Sequence, residues 1–182
     1  MDVLTLLKQD HKTVGDLIDE VQKCEAGDRR LPELGREIAQ ALTVHATIEE
    51  KFFYPQLRDR AEEDDERVDV FEAFTEHDVV KHLIALLKSR RANDEQFKAE
   101  LQVLGENVKH HVKEEESTIF SLARELLDSE ELDELGEEMA EAKQRLMSRT
   151  AAARTNGGRK SVGKKTSRAN GRKGARKSPS RR

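Results

Sequence analysis

Apolar residues return along this chain at intervals of three and four, and histidine and glutamate are set into the same stripes. Over residues 2–23, Leu4, Leu7, His11, Val14, Ile18 and Val21 follow a 3-4-3-4-3 spacing that lines one helix face, with Asp2 placed to cap it. Glu25-Ala26-Gly27-Asp28 breaks the pattern. Pro32 suits the first turn of a second helix, whose buried stripe is Ile38, Leu42, His45, Glu49 and Phe52 until Pro55 interrupts it. The acidic run 62–66 reads as a connection. A third helix is predicted over about 66–91, with Val70, Phe74, His77, Val80, Ile84 and Leu87 inward. Asn93 or Asp94 then caps a fourth over 95–127, lined by Phe97, Leu101, Leu104, Val108, His111, Glu115, Ile119 and Leu122. A shorter amphipathic helix near 130–148, capped by Ser129, presents Leu132, Leu135, Met139 and Leu146 for packing.

The stripes repeat. A shift of 66 residues lays Asp10–Ile18 on Glu76–Ile84, with His11 on His77. Without a gap it also puts His45 on His111, Glu49 on Glu115, Glu50 on Glu116, Phe53 on Ile119 and Arg58 on Arg124. One helical hairpin cannot bury its apolar face alone, and two copies can do so against each other. The predicted fold is therefore all-α: an antiparallel up-down-up-down four-helix bundle with pseudo-twofold symmetry, plus an extra C-terminal helix.

Composition agrees, at 35% hydrophobic and 38% charged residues, with three prolines and seven Phe and Tyr. Charge divides the chain: 20 Lys and Arg against all 37 acids precede Arg149, a net −17, and 13 cations follow with no acid. Two parts are expected, a bundle with its C-terminal helix over 1–148 and a disordered Lys/Arg-rich tail over 149–182. Cys24 is the single cysteine, which excludes an internal disulfide and argues against a thiolate-bound metal. With no leader pattern and no apolar run near the ~20 residues of a membrane span, a cytoplasmic protein is expected.

The chemistry lies where polar residues enter the apolar seams. His11, His45, His77 and His111 each occupy one, and Glu49 and Glu115 lie one turn beyond two of them. Buried carboxylates cost several kcal/mol unless a cation, metal or proton neutralises them. A metal pair accounts for all six residues. Four imidazoles and two bridging carboxylates give about eight donor atoms where two six-coordinate metals need about twelve, which leaves positions for solvent, an oxo or hydroxo bridge, or an exogenous ligand. Such donors suit iron or manganese; zinc prefers four ligands.

The array Asp10-His11, His45-x3-Glu49-Glu50 followed by Phe53-Tyr54-Pro55, Glu76-His77, and His111-x3-Glu115-Glu116 resembles the hemerythrin-like HHE cation-binding domain family over about residues 1–145. The resemblance implies a non-haem centre of two iron ions that binds or reacts with dioxygen, hydrogen peroxide or nitric oxide, with roles in oxygen binding or oxidative stress. The oxygen-carrying hemerythrins have two histidines four residues apart on the third helix, where this chain has His77 and Lys81, and an aspartate where it has Glu115. The pattern thus favours a reactive or sensing centre over reversible oxygen carriage.

Around the six, Glu50 and Glu116 are expected to hold histidine N–H groups rather than to ligate. Tyr54 is either a core aromatic or a phenolate donor, and His82 reaches the centre only if its helix distorts. No separate acid, base or nucleophile is evident, so turnover would be metal-centred and catalase-like or peroxidase-like. The alternative is a redox, oxygen or iron sensing module without turnover. Its tail would contact nucleic acid through non-specific, salt-sensitive phosphate contacts.

Overall fold

The computed structural model describes residues 1–90 and 93–159. Among them there is no strand, and the chain forms five helices. α1 is Val3–Gln22. α2 comprises Leu31–Ile48, a π-helical turn at Glu49–Phe53, and Tyr54–Arg60. α3 is Asp64–Ser89. α4 comprises Glu95–Glu114, a π-helical turn at Glu115–Ile119, and Phe120–Leu126. α5 is Ser129–Arg159. The chain divides into two compact units, Met1–Met147 and Ser148–Arg182.

Local chemistry sets the starts. Asp2 accepts from the Thr5 backbone N–H at 2.9 Å and Asp94 from that of Phe97 at 3.0 Å, two caps on orphan amides. α3 begins within the acidic run expected to be a connection, because Glu63 and Glu66 form a reciprocal capping box there. α5 is capped by Asp128 rather than Ser129, since Asp128 accepts from the N–H groups of Glu130 and Glu131 at 2.9 Å.

Four helices form a ring in which α1 packs on α2 and α4, and α3 on α2 and α4. Its interior is two apolar clusters. One contains Leu7, Ile48, Phe53, Tyr54, Leu57, Val70, Ile119 and Phe120, and Leu135, Met139 and Ala142 of α5 join it. The other contains Val14, Ile18, Ile38, Leu42, Val80, Ile84, Leu101, Leu104 and Val108. His11, His45, Glu49, His77, His111 and Glu115 fall between the two sets on every helix, so the polar layer has hydrocarbon above and below. Gly105 lets α4 close on α1, since a Cβ there would come within 2.8 Å of Ile18 Cγ2.

Two expectations fail at one place. Phe52 is only partly buried and Phe53 is fully buried, and Pro55 does not interrupt α2. The π turn adds a residue to the helical repeat, which rotates Phe53 into the position Phe52 would have held. It also accommodates the amide that Pro55 lacks. Proline is not the cause, because α4 makes the same turn with Ser121 at the equivalent position.

The C-terminal helix does not stop at 148; α5 continues to Arg159. Its extension contains Ala151-Ala152-Ala153-Arg154, strong helix formers that need no core. The helix thus runs past the expected boundary at 148, and residues 160–182 of the expected tail lie outside the described ones. No helix among the described residues is long and apolar enough to cross a membrane.

Candidate metal centre

Each helix of the ring delivers one histidine to the polar layer, and the two π turns deliver the carboxylates. Glu49 and Glu115 are the first residues of those turns and are 0% and 1% exposed. His45 Nε2 lies 3.2 Å from Glu49 Oε1 and His77 Nε2 lies 3.3 Å from Glu49 Oε2. His11 Nε2 is 3.0 Å and His111 Nε2 3.8 Å from Glu115 Oε2. Each glutamate therefore touches two histidines from different helices. The donors form two groups that share Glu49: His11, His45, Glu49 and Glu115 in one, and Glu49, His77 and His111 in the other, with the atoms of each within 4.8 Å of one another.

These atoms converge without satisfying each other. Both Glu49 oxygens, the Nε2 atoms of His45 and His11, and Glu115 Oε2 are buried with no hydrogen-bond partner among the described residues. Orphaned polar atoms at that density would be costly in a finished core. Nitrogen and carboxylate oxygen aimed at common points are the donor chemistry of a divalent cation, and the residues fit a metal pair.

The outward ring nitrogens are held by a second set of carboxylates. His11 Nδ1 is 2.8 Å from Glu116 Oε1, His77 Nδ1 is 2.9 Å from Glu50 Oε1, and His111 Nδ1 is 2.8 Å from Glu76 Oε2. Asp10 Oδ2 stands 3.7 Å from His45 Nδ1. Every support comes from a neighbouring helix, in a closed cycle from α1 to α2, α3, α4 and back. Such contacts fix which nitrogen faces inward. Asp10 is in turn paired with Lys143 of α5, and Glu50 with Lys81 at 2.7 Å.

Glu50 and Glu116 thus sit where the sequence suggests. Asp10 and Glu76 were not assigned this task, although both precede a seam histidine and coincide at the 66-residue shift. Tyr54 enters the centre. It is fully buried, donates to Glu115 Oε1 at 2.8 Å and lies 3.5 Å from His77 Nε2. Burial, with the Glu115 and Glu49 charges, pushes its phenol well above the ordinary range, so it stands as a neutral donor. His82 does not reach the centre: α3 is regular there and the side chain is exposed. Cys24 is buried and donates to the Glu20 carbonyl at 3.3 Å.

Without a cation the layer divides its charge unequally. Burial opposes ionisation of Glu115, but His11, His111 and His45 outweigh it and hold this carboxyl well below the usual range. Glu49 is pushed well above it by burial and by the facing Glu115. Burial pulls His11 down, yet the Glu115 carboxylate 3.0 Å away and the charge of Glu49 raise it to about 9. His45 is driven to about 4 by burial, against the pull of Asp10.

Fold and site together define a helical bundle built to bind cations. The family model of the hemerythrin HHE cation binding domain matches residues 2–123, and the chain belongs to that family. It is similar to a hemerythrin HHE cation binding domain-containing protein of Mycobacterium kansasii, whose crystal structure superposes with a TM-score of 0.69 at 22% identity, covering 80% of this chain and 87% of that one. It is also 29% identical over 158 residues to a protein of Nostoc sp. (strain PCC 7120 / SAG 25.82 / UTEX 2576) named DNA nickase. The match takes in 87% of this chain and 44% of the relative, so the chain spans less than half of that protein's length.

Proposed function

We propose that the protein binds iron as a two-metal centre that His11, His45, His77, His111, Glu49 and Glu115 would hold, and that this centre reacts with hydrogen peroxide, dioxygen or nitric oxide. The observation that carries the reading is the convergence of six buried donors on two points, with both Glu49 oxygens left without hydrogen bonds. Bound there, two irons would supply one-electron redox changes and open positions for a small ligand.

The chain's own residues perform the remaining tasks. Glu116, Glu50, Glu76 and Asp10 orient the four imidazoles. Tyr54 keeps a neutral O–H against Glu115, where it can hold a proton beside the centre. Phe120 packs parallel to His11 at 5.9 Å, and the apolar layers keep bulk water from the centre.

Metal analysis of protein produced with iron, with absorption spectra and oxygen evolution after peroxide addition, tests the reading. About two irons per chain and released oxygen support a catalase-like centre. Two irons without turnover favour sensing, more than two favour iron storage, and an iron-free folded bundle overturns the metal assignment.

A second reading has one observation behind it, the similarity to the Nostoc protein named DNA nickase. The 13 cations from Arg149 onward would bring the centre to a nucleic-acid backbone without reading sequence. Fluorescence anisotropy of labelled duplex DNA should then show affinity falling steeply and linearly in log salt. Binding that is absent at 50 mM salt removes this reading.

A further inference from the structure

α3 carries a second stripe that the bundle does not use. Val70, Ala73, His77, Val80, Ile84 and Leu87 turn inward. On the opposite face Val68, Phe71, Thr75, Val79, His82 and Leu86 follow a 3-4-4-3-4 spacing. Val68, Phe71, Val79 and Leu86 are 39–58% exposed, and they are four of the seven large apolar residues exposed among the described ones, so this exposure is concentrated on one helix. The Thr75 hydroxyl donates to the Phe71 carbonyl at 2.9 Å, which satisfies the polar group of that side chain without solvent. By comparison, the exposed face of α1 carries Lys8, Lys12, Asp16 and Asp19. An apolar stripe of helical period on the outside of a bundle marks a contact face.

We propose that this stripe is the interface of a homodimer, in which α3 packs antiparallel against α3 of a second copy of the chain. Two features select that occupant. The stripe is self-complementary about position 77: a twofold axis at that level lays Val68 opposite Leu86 of the second copy, Phe71 opposite His82 and Thr75 opposite Val79. Charge selects the direction, because α3 begins with Asp64, Asp65 and Glu66 and ends with Lys88 in its last turn. Antiparallel packing brings each acidic end to a basic one, and parallel packing would oppose acid to acid. A helix of 26 residues is about 39 Å long, which puts the contact at the lower end of specific interfaces, on the order of 1,200 Å² in total, and makes the dimer concentration-dependent. The pairing does not depend on what the polar layer binds.

The experiment is sedimentation velocity of the full-length chain over about 1–500 µM, in about 0.5 M salt to screen attraction between the basic C-terminal segment and the acidic bundle. The apparent mass should rise toward twice that of one chain, and Val79→Glu/Leu86→Glu should hold it at one chain over the same range. Both positions are exposed, so the urea midpoint of this variant should not fall. Phe71→Ser, a milder change, should weaken association about tenfold. Mixed Val68→Cys and Leu86→Cys chains should give a covalent dimer with a short bismaleimide. Val68→Cys alone should not, since the two copies of that position stand roughly 27 Å apart in an antiparallel pair. A parent that keeps the mass of one chain throughout overturns the dimer, and association confined to low salt does the same by assigning the contact to the basic segment. Association that survives Val79→Glu/Leu86→Glu moves the contact off α3, and crosslinking of Val68→Cys with itself overturns the antiparallel direction.

Discussion

Tyr54 and Phe120 occupy the same position in the two copies of the repeat, and only Tyr54 carries a hydroxyl, which it donates to Glu115 Oε1 at 2.8 Å. The pseudo-twofold bundle is therefore chemically one-sided. Phe120 stacks over His11 at 5.9 Å, while Tyr54 stands 3.5 Å from His77 Nε2. Tyr54→Phe should fold, because the other copy already accepts phenylalanine in that place. It should lower the stability of the metal-free protein by about 1–3 kcal/mol in urea titrations, since a buried acceptor loses its donor. Stoichiometric metal binding should persist, and a chain that binds none would make the phenol a ligand instead.

Glu49 and Glu115 are equivalent by sequence and opposite in state. Glu49→Gln should leave the metal-free protein as stable as the parent or more so, because burial already disfavours the carboxylate there. Glu115→Gln should destabilise it by about 3–5 kcal/mol, since it strips His11 of its buried counter-charge. Both should reduce bound metal below two per chain, by elemental analysis. Equal stability losses would refute the unequal division of charge.

Metal binding near pH 7 should release at least one proton, because His11 is protonated without metal and must be deprotonated to ligate. Titration calorimetry in buffers of different ionisation enthalpy measures the number; a value near zero contradicts the assignment. The metal-free protein should lose stability as pH rises above about 6.5, where folded His11 keeps a proton that the unfolded chain releases. His11, raised to about 9, contributes stability that is complete below its unfolded value near 6.5 and lost as pH rises through 9. His45, lowered to about 4, contributes stability present above 6.5 and lost as pH falls through 4.

Removing an outer support should loosen the centre without emptying it. Asp10→Asn and Glu76→Gln should each weaken metal affinity about 10–100-fold in chelator competition. His82→Ala, at an exposed position, should leave it unchanged. A loss of affinity in His82→Ala would mean that α3 rearranges on binding.

How the bundle is built was legible because histidine and glutamate ride the same period as leucine and valine. The 66-residue shift then fixed which hairpins pair. What escaped was geometry that spacing cannot express. The π turns at Glu49 and Glu115 carry no residue signal of their own, and one omitted residue of rotation exchanged Phe52 for Phe53 in the core. The pairing of Asp10 with His45 and of Glu76 with His111 crosses between helices, so position along one stripe could not assign it. The extension of α5 past 148 lies where an argument from apolar pattern has nothing to read.

The cycle of carboxylate and histidine pairs runs through all four helices, and its consequence is mechanical. Displacing any one helix withdraws a histidine from the centre and, in the same motion, unlatches the histidine of its neighbour. The ring behaves like a belt with four buckles, none of which can be opened singly. Loss of bound ion from this protein should therefore be abrupt and coincide with loosening of the whole bundle, which makes metal retention a gauge of its mechanical integrity.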